Sequence, residues 1–221
     1  MSNSVGPRSG VDAEHGRRTT VLASRPLLAY RTVDLVSAAM LGVAFGVVFW
    51  AWSLVYSVAS GPLDAALAPL TSILAGPWLL AGVVGGLLIR RPGAALMAEV
   101  VAASVSALIG SEWGWTTLLS GVLQGLGVEL ALALFAWRRF GPGVALLAGG
   151  LAATCEVVLY EWWVYVVDFD WPFKLAYLGF FVVSGAVVAG LGGLVIVRAL
   201  ASLGAVDVMP PGREELERSP R

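Results

Sequence analysis

The chain consists of long apolar runs separated by short polar or glycine- and proline-rich interruptions. A transmembrane helix needs about 20 predominantly apolar residues, and six runs fit this length. They are Asp34–Val58, Pro69–Ile89, Gly93–Gly110, Trp115–Trp137, Gly143–Val166 and Phe173–Ala201. Helix breakers separate them, such as Ser-Gly-Pro at 60–62 and Gly-Pro-Gly at 141–143. The pattern predicts an all-α integral membrane protein with six transmembrane helices.

Polar segments flank the predicted membrane domain, which covers residues 34–201. The composition of residues 1–33 predicts a disordered tail, and residues 202–221 form a second polar tail with disorder predicted over Arg213–Arg221. No apolar stretch precedes the first run, so we expect no cleavable signal peptide. Pro77 lies inside the second run, where we expect it to kink the helix or shift its start.

Composition supports the membrane assignment. Of the 221 residues, 58% are hydrophobic and 13% are charged, whereas about a quarter of the residues in an average soluble domain are charged. So few charges could not cover the surface of a soluble fold of this size.

The basic residues predict the orientation of the six helices. With six spans, 13 of the 14 basic residues fall on one side, and Lys174 falls on the other with Asp64, Glu112, Asp168 and Asp170. The 13 are Arg8, Arg17, Arg18, Arg25, Arg31, Arg90, Arg91, Arg138, Arg139, Arg198, Arg213, Arg218 and Arg221. Positive residues collect on the cytoplasmic side of cell membranes. We therefore expect a multi-pass plasma-membrane protein with both termini in the cytoplasm.

Residue counts argue against several chemistries. Cys155 is the single cysteine and His15 the single histidine, which argues against a metal centre built from these residues and against histidine-based catalysis in the membrane. No phosphate-binding loop surrounds Lys174, the only lysine. No basic stripe suggests a nucleic-acid partner. We expect neither an enzyme nor a resident cofactor.

Four carboxylates and one amide lie within the predicted spans: Glu99, Glu129, Glu156, Glu161 and Gln124. Acids inside a membrane are costly and usually face a cavity or a partner. For Glu161 and Glu156, ligand contact and hydrogen bonding between helices are equally compatible with the sequence. Glu99 and Glu129 lie on faces rich in small residues, which favours a structural role between closely packed helices.

Aromatic residues concentrate toward the predicted outer half of the helices. Trp52 lies on one face of the first helix with Phe45, Phe49 and Tyr56, and further rings surround Glu161. An interfacial belt explains most of them, but their scarcity near the inner ends indicates that some line a pocket. Carboxylates with aromatic faces suit a flat, cationic or amine-bearing ligand. The candidate ligand-binding residues are Glu161, Glu156, Trp163, Tyr165, Trp52, Trp113 and Gln124.

A stripe of small residues, Ala38, Gly42 and Gly46, runs along the first helix at four-residue spacing. Such stripes let helices approach closely. Internal packing is one explanation of this stripe, and docking of another membrane subunit is the other. We predict the second, a subunit interface, for Ala38, Gly42 and Gly46.

Two motifs resemble the YkoE family. They are Arg-Pro-Gly-Ala-Ala-Leu at 91–96, with Glu99 on the same helix, and Gln-Gly-Leu-Gly-Val-Glu at 124–129. Tyr160-Glu161 is similar to the family's Tyr-Asp in helix five, with Glu replacing Asp. The resemblance covers roughly residues 34–207, and the six predicted spans agree with it.

The resemblance implies the substrate-binding S component of an energy-coupling factor (ECF) transporter for thiamin or its hydroxymethylpyrimidine precursor. Such a subunit would capture ligand outside the cell and associate with a transmembrane T component and two cytoplasmic ATPases. The stripe at Ala38, Gly42 and Gly46 would then face the T component. The loop Ala59–Ser72 would act as a lid.

Two alternatives stay open. A stand-alone secondary transporter of a cationic metabolite would use Glu99 or Glu129 as a proton carrier. An intramembrane enzyme is the other, although no nucleophile–base pair in the sequence supports it.

Overall fold

The computed structural model describes residues 20–24 and 26–218, and the regular elements in these ranges are helical. The predictions for residues 1–19 lie outside the described residues. Seven helical segments follow one another. They are α1 (Thr32–Ala66), α2 (Ala68–Ile89), α3 (Ala94–Ile109), α4 (Thr116–Leu134), α5 (Pro142–Val164), α6 (Trp171–Ser202) and α7 (Pro210–Arg218).

Each of the first six segments overlaps one of the six predicted runs. Five of them are long and apolar enough to cross a membrane, and α3, with 16 residues, is a shorter apolar helix. The two ends of the bundle differ. Ala66, Ile109 and Val164 lie at the end that we call the mouth end, and Thr32, Ile89 and α7 lie at the opposite, terminal end.

α1 continues past the break that the sequence predicts at Ser-Gly-Pro. It runs through Pro62 to Ala66, and the chain leaves the helix at Leu67, whose backbone is extended. Pro69 then lies in the first turn of the next helix, where its missing N–H is tolerated. The prediction of a loop at Ala59–Ser72 is therefore wrong, because the end of α1 and the start of α2 occupy this stretch. Its role as a lid stays a prediction.

α2 changes character along its length. Residues Ala68–Leu79 form a tight 3₁₀ helix that contains Pro77, and a regular α-helix follows from Leu80. Pro77 thus shifts the start of the regular helix, as the sequence predicts. Side chains of other segments hold the 3₁₀ part: Ser184 Oγ donates to the Ile73 carbonyl at 2.5 Å, and Trp52 Nε1 donates to the Leu74 carbonyl at 2.8 Å.

α2 lies at the centre of the bundle. Of its most apolar stretch, 72% is buried, against 28% for α1. α2 packs on α3 and α6, while α4 packs between α3 and α5. Glycines allow the closest contact, where backbone of α5 at Gly149 meets backbone of α6 at Gly185.

The small-residue stripe of α1 packs within the chain. Ala38, Gly42 and Gly46 are buried, and a Cβ at Gly42 would lie 2.5 Å from Val101 Cβ on α3. The absence of side chains at these positions is what lets α1 and α3 touch. This corrects the expectation that Ala38, Gly42 and Gly46 face another subunit, because α3 already covers them.

The terminal end is closed by a network around two arginines. Arg91 Nε donates to Asp34 Oδ2 at 2.8 Å, and both side chains are almost fully buried. Arg90 Nη1 pairs with Glu214 Oε1 of α7 at 2.5 Å and also donates to the Val21 carbonyl. The helix α7 lies where composition predicts disorder, because these contacts hold its first turns against the bundle.

Candidate functional site

A cavity of about 490 Å³ opens between the six long segments at the mouth end. Its rim includes Asp64 near the end of α1, Trp113 in the loop before α4, and Tyr165 just after α5. Its deepest acid, Glu99, lies ten residues before the end of α3. The volume falls in the range of about 300–1,000 Å³ that is usual for small-molecule sites.

Two of the four carboxylates that line the cavity come from α5. Residues Val157–Glu161 form a π-turn, in which the helix widens by one residue. In a regular α-helix, Glu156 and Glu161 would point about 140° apart. The π-turn places residues five apart almost above one another, so both carboxylates line the cavity.

Glu161 is held by a tyrosine from the neighbouring helix. Tyr177 on α6 donates its hydroxyl to Glu161 Oε2 at 2.6 Å. Near the rim, the Tyr165 hydroxyl lies 3.2 Å from Thr116 Oγ1.

Glu156 is 1% exposed and has one oxygen with no partner. Among the residues that the structure describes, none donates a hydrogen bond to its Oε2. A buried carboxylate oxygen without a donor is costly. Since Glu156 lines the cavity, a ligand N–H or O–H could satisfy it.

The floor of the cavity is a small polar network. The backbone N–H of Gly82, in the first turn of the regular part of α2, donates to Glu99 Oε2. With its amide nitrogen facing α2, Gln124 donates to the Trp78 carbonyl at 3.1 Å and to Glu99 Oε1 at 3.3 Å. Glu99 and Gln124 thus satisfy backbone groups where the 3₁₀ part of α2 ends.

One wall consists of three aromatic rings from three different segments. Tyr56 lies 5.3 Å from Trp78 and 5.6 Å from Trp113, measured between ring centroids, and the two tryptophans are 5.0 Å apart. All three contacts are edge-to-face, the arrangement that aromatic pairs prefer. Such a wall offers ring faces on which a flat or cationic group can stack.

Five of the seven predicted ligand-binding residues line this cavity: Glu161, Glu156, Tyr165, Trp113 and Gln124. The other two do not. Trp52 points its indole N–H at the 3₁₀ part of α2, and Trp163 is 61% exposed, with its N–H donating to the Val158 carbonyl. The structure thus assigns Trp52 to packing and places Trp163 on the outer surface.

Sequence reasoning missed Trp78 as a site residue and placed Glu99 and Tyr56 outside the candidate set. The sequence does contain a feature that could have identified Trp78. This residue follows Pro77, and a proline inside an apolar span often marks irregular backbone. Irregular backbone at membrane depth occurs where it lines a cavity or is buried in protein.

Glu129, in contrast, caps a helix. Its Oε1 accepts hydrogen bonds from the backbone N–H groups of Ala95 at 2.8 Å and Leu96 at 3.4 Å, in the first turn of α3. These N–H groups have no partner within their own helix, and a carboxylate there also interacts favourably with the helix dipole. The side chain therefore joins α4 to α3 and is not among the cavity-lining residues.

The arrangement is suited to binding rather than to bond making. Carboxylates at several depths attract a cation and accept hydrogen bonds from amino groups, while the aromatic wall holds a planar ring. Within residues 20–24 and 26–218, no group of three or more His, Cys, Asp or Glu side chains is placed to hold a metal ion.

Comparison with known proteins assigns the chain to a family. Residues 33–155, more than half of the chain, match the family described as "ABC-type cobalt transport system, permease component", and the chain belongs to this family. It is therefore a multi-pass membrane protein of a transport family.

Two individual proteins are similar over most of their length. The Bacillus subtilis (strain 168) HMP/thiamine permease protein YkoE is 28% identical over 188 residues, which cover 84% of this chain and 92% of the relative. A crystal structure of an S-component of an ECF transporter superposes with a TM-score of 0.80 and 27% identity, covering 86% of this chain and 95% of that one. The resemblance to the YkoE family is confirmed, and the fold is that of an ECF S component.

Proposed function

We propose that this chain is the substrate-binding S component of an ECF-type importer and that its ligand is thiamin or the hydroxymethylpyrimidine precursor. The observation that carries the proposal is the cavity, where Glu156 offers an unpartnered carboxylate oxygen beside Glu161 and an aromatic wall. Thiamin combines a cationic ring with an aminopyrimidine, and these groups match the carboxylates and the rings.

In the proposed complex, Glu161 attracts the cationic or amino group and Glu156 accepts a hydrogen bond from the ligand. Trp113 and Tyr165 contact the rings of the ligand at the rim, and Gln124 completes the floor. The name of the Bacillus subtilis relative supports this choice of ligand.

We further propose six membrane crossings with both termini in the cytoplasm. The 16-residue α3 would be the sixth crossing, with its glycine-bounded ends reaching into the interfaces. The arginines of the described ranges support this orientation, since Arg31, Arg90, Arg91, Arg138, Arg139, Arg198, Arg213 and Arg218 flank the terminal ends of the helices. The mouth end then faces outward, where the ligand enters from solution.

The transport step would require partners. We propose a transmembrane T component and two cytoplasmic ATPase subunits, because S components of ECF transporters work in such assemblies. The second candidate, a proton-coupled secondary transporter, would need a free acid such as Glu129. Two backbone N–H groups in the first turn of α3 already donate to Oε1 of that carboxylate, which favours a capping role for Glu129.

The test is isothermal titration calorimetry, in which the purified chain in detergent micelles is titrated with thiamin and, separately, with hydroxymethylpyrimidine. We expect at least one of them to bind in the micromolar range or tighter. Glu161→Gln should weaken binding about tenfold or more, which is about 1.4 kcal/mol. Binding no tighter than millimolar for both compounds would overturn the proposal.

A matched pair of tryptophans tests the location of the site. Trp78 lines the cavity, whereas Trp163 lies on the outer surface. We expect Trp78→Leu to weaken binding about tenfold, in line with the loss of one ring from a cavity wall, and Trp163→Leu to leave it unchanged. Equal effects of the two substitutions would contradict the assignment of this cavity.

A further inference from the structure

We propose that the cavity selects the unphosphorylated ligand and rejects phosphate esters of the same compound. The inference rests on the proposed function, because it specifies the ligand class of the same site. It requires that carboxylates be placed wherever a phosphate group could lie.

Acids occur at every depth of the cavity. Asp64 lies at the rim, two residues before the end of α1, and Glu161 lies three residues before the end of α5. Glu156 lies one π-turn deeper, and Glu99 lies at the floor. Whichever way a ligand is oriented in the cavity, its substituents therefore lie near a carboxylate.

A phosphate group finds no counter-charge among these acids. A phosphate monoester carries about −1.5 to −2 charges at neutral pH, and placing like charges side by side in a binding site strongly disfavours the complex. Proteins that bind phosphate supply arginine, lysine or backbone N–H groups. Among the described residues, the side chains that line the cavity include four acids and no basic residue.

One feature of the fold would favour an anion. The N-terminal turn of α4 reaches the cavity at Thr117, and helix N-termini attract negative charge. Glu112 lies four residues before Thr116, however, and its negative charge opposes an incoming phosphate.

Charge, rather than size, is the proposed basis of this selection. A neutral ester of similar bulk should therefore be accepted where the phosphate ester is not. A phosphate ester outside the cell would have to lose its phosphoryl group by hydrolysis before this site could take it.

The experiment compares three probes on the purified full chain in detergent micelles: thiamin, thiamin monophosphate and O-acetylthiamin. We expect the monophosphate to bind at least about 100-fold more weakly than thiamin, and the acetyl ester to bind within about tenfold of thiamin. Monophosphate binding within about threefold of thiamin would overturn the inference and leave the proposed function standing.

Variants separate charge from shape. Asp64→Asn should lower the dissociation constant of the monophosphate at least about threefold, whereas Asp168→Asn, which removes an exposed acid outside the cavity, should not change it. Exclusion of both esters, or an unchanged dissociation constant of the monophosphate in Asp64→Asn, would overturn the electrostatic inference. Absence of binding by thiamin and by hydroxymethylpyrimidine would instead overturn the proposed function, and this inference with it.

Discussion

Glu156 and Glu161 lie five residues apart on α5, yet both carboxylates line one cavity. The π-turn at Val157–Glu161 makes this possible, because it adds one residue to a helical turn and rotates everything that follows. π-turns are rare and frequently occur at functional sites. Here the turn places two acids on the same side of a membrane-embedded helix.

Adding one residue to the π-turn should therefore separate the two acids. Leu159 is 61% exposed and lies within the turn. An alanine inserted after Leu159 would place Glu161 six residues after Glu156 and rotate it by about 100° relative to Glu156. We expect ligand affinity to fall at least as much as in Glu161→Gln, measured by calorimetry on protein whose helicity is checked by circular dichroism.

The control for this insertion is Leu159→Ala, which keeps the residue count and changes only an outward side chain. It should bind ligand as the unmodified chain does. If the insertion variant folds and retains full affinity, the π-turn does not position Glu161.

The sequence predicts the helical segments well, because their signals are local. Each predicted run overlaps its helix closely, since about 20 apolar residues and the breakers between them determine where a chain can cross a membrane. The end of α1 is the exception. Pro62 is tolerated within the helix, and the extended residue Leu67 ends it.

The site is less predictable, because it depends on contacts between segments. Buried acids such as Glu156 stand out in any apolar run. The π-turn that aligns Glu156 with Glu161 does not stand out in the sequence, because it depends on how α5 packs against its neighbours. Trp52 and Trp78 both look like interfacial aromatics in sequence, and only their positions around the 3₁₀ part of α2 distinguish a packing residue from a cavity wall.

Glu129 provides a prediction about stability without an effect on binding. Its carboxylate accepts from the N–H groups of Ala95 and Leu96. Glu129→Ala should lower the free energy of unfolding by about 1–2 kcal/mol, the usual cost of losing a helix cap. Thermal unfolding in detergent measures this loss, and the ligand dissociation constant should stay within about threefold, since Glu129 does not line the cavity.

Asp168→Ala, at an exposed position after α5, is the control and should leave the midpoint of thermal unfolding unchanged. The proton-carrier alternative makes the opposite prediction for Glu129. Under that alternative, Glu129→Gln would abolish proton-driven uptake by the isolated chain in liposomes, and such uptake would contradict the proposed function.

Gly46 tests whether the small-residue stripe serves internal packing. A Cβ at this position would lie 2.5 Å from Val105 Cβ and 2.8 Å from the Ala102 carbonyl on α3. Gly46→Ala should therefore push α1 and α3 apart and lower the free energy of unfolding by about 1–3 kcal/mol. The measurement is thermal unfolding of the purified chain without any partner subunit.

Gly179 on α6 is the matched control, because an added Cβ there meets nothing within 4 Å. Gly179→Ala should leave the protein equally stable or stabilise it by about 0.5–1 kcal/mol, since alanine is the better helix former. Unchanged stability in Gly46→Ala would mean that the stripe is open to a partner and that α1 and α3 do not pack as described.

The ion pair between Asp34 and Arg91 should be the most sensitive polar contact at the terminal end. The exposed fractions of the two side chains are 0% and 1%, and Arg91 also donates to Ser24 Oγ at 2.8 Å and to the Leu27 carbonyl at 2.9 Å. Asp34→Asn leaves a buried guanidinium without its counter-charge, which typically costs about 3–5 kcal/mol. We expect a correspondingly large fall in the midpoint of thermal unfolding.

Arg91→Lys should not preserve the contact, because a single ammonium cannot reproduce the fork of the guanidinium. The exposed pair of Glu215 and Arg218, 3.6 Å apart, provides the comparison: Glu215→Gln should change stability by less than about 1 kcal/mol. Equal effects of Asp34→Asn and Glu215→Gln would show that burial does not set the strength of the Asp34–Arg91 pair.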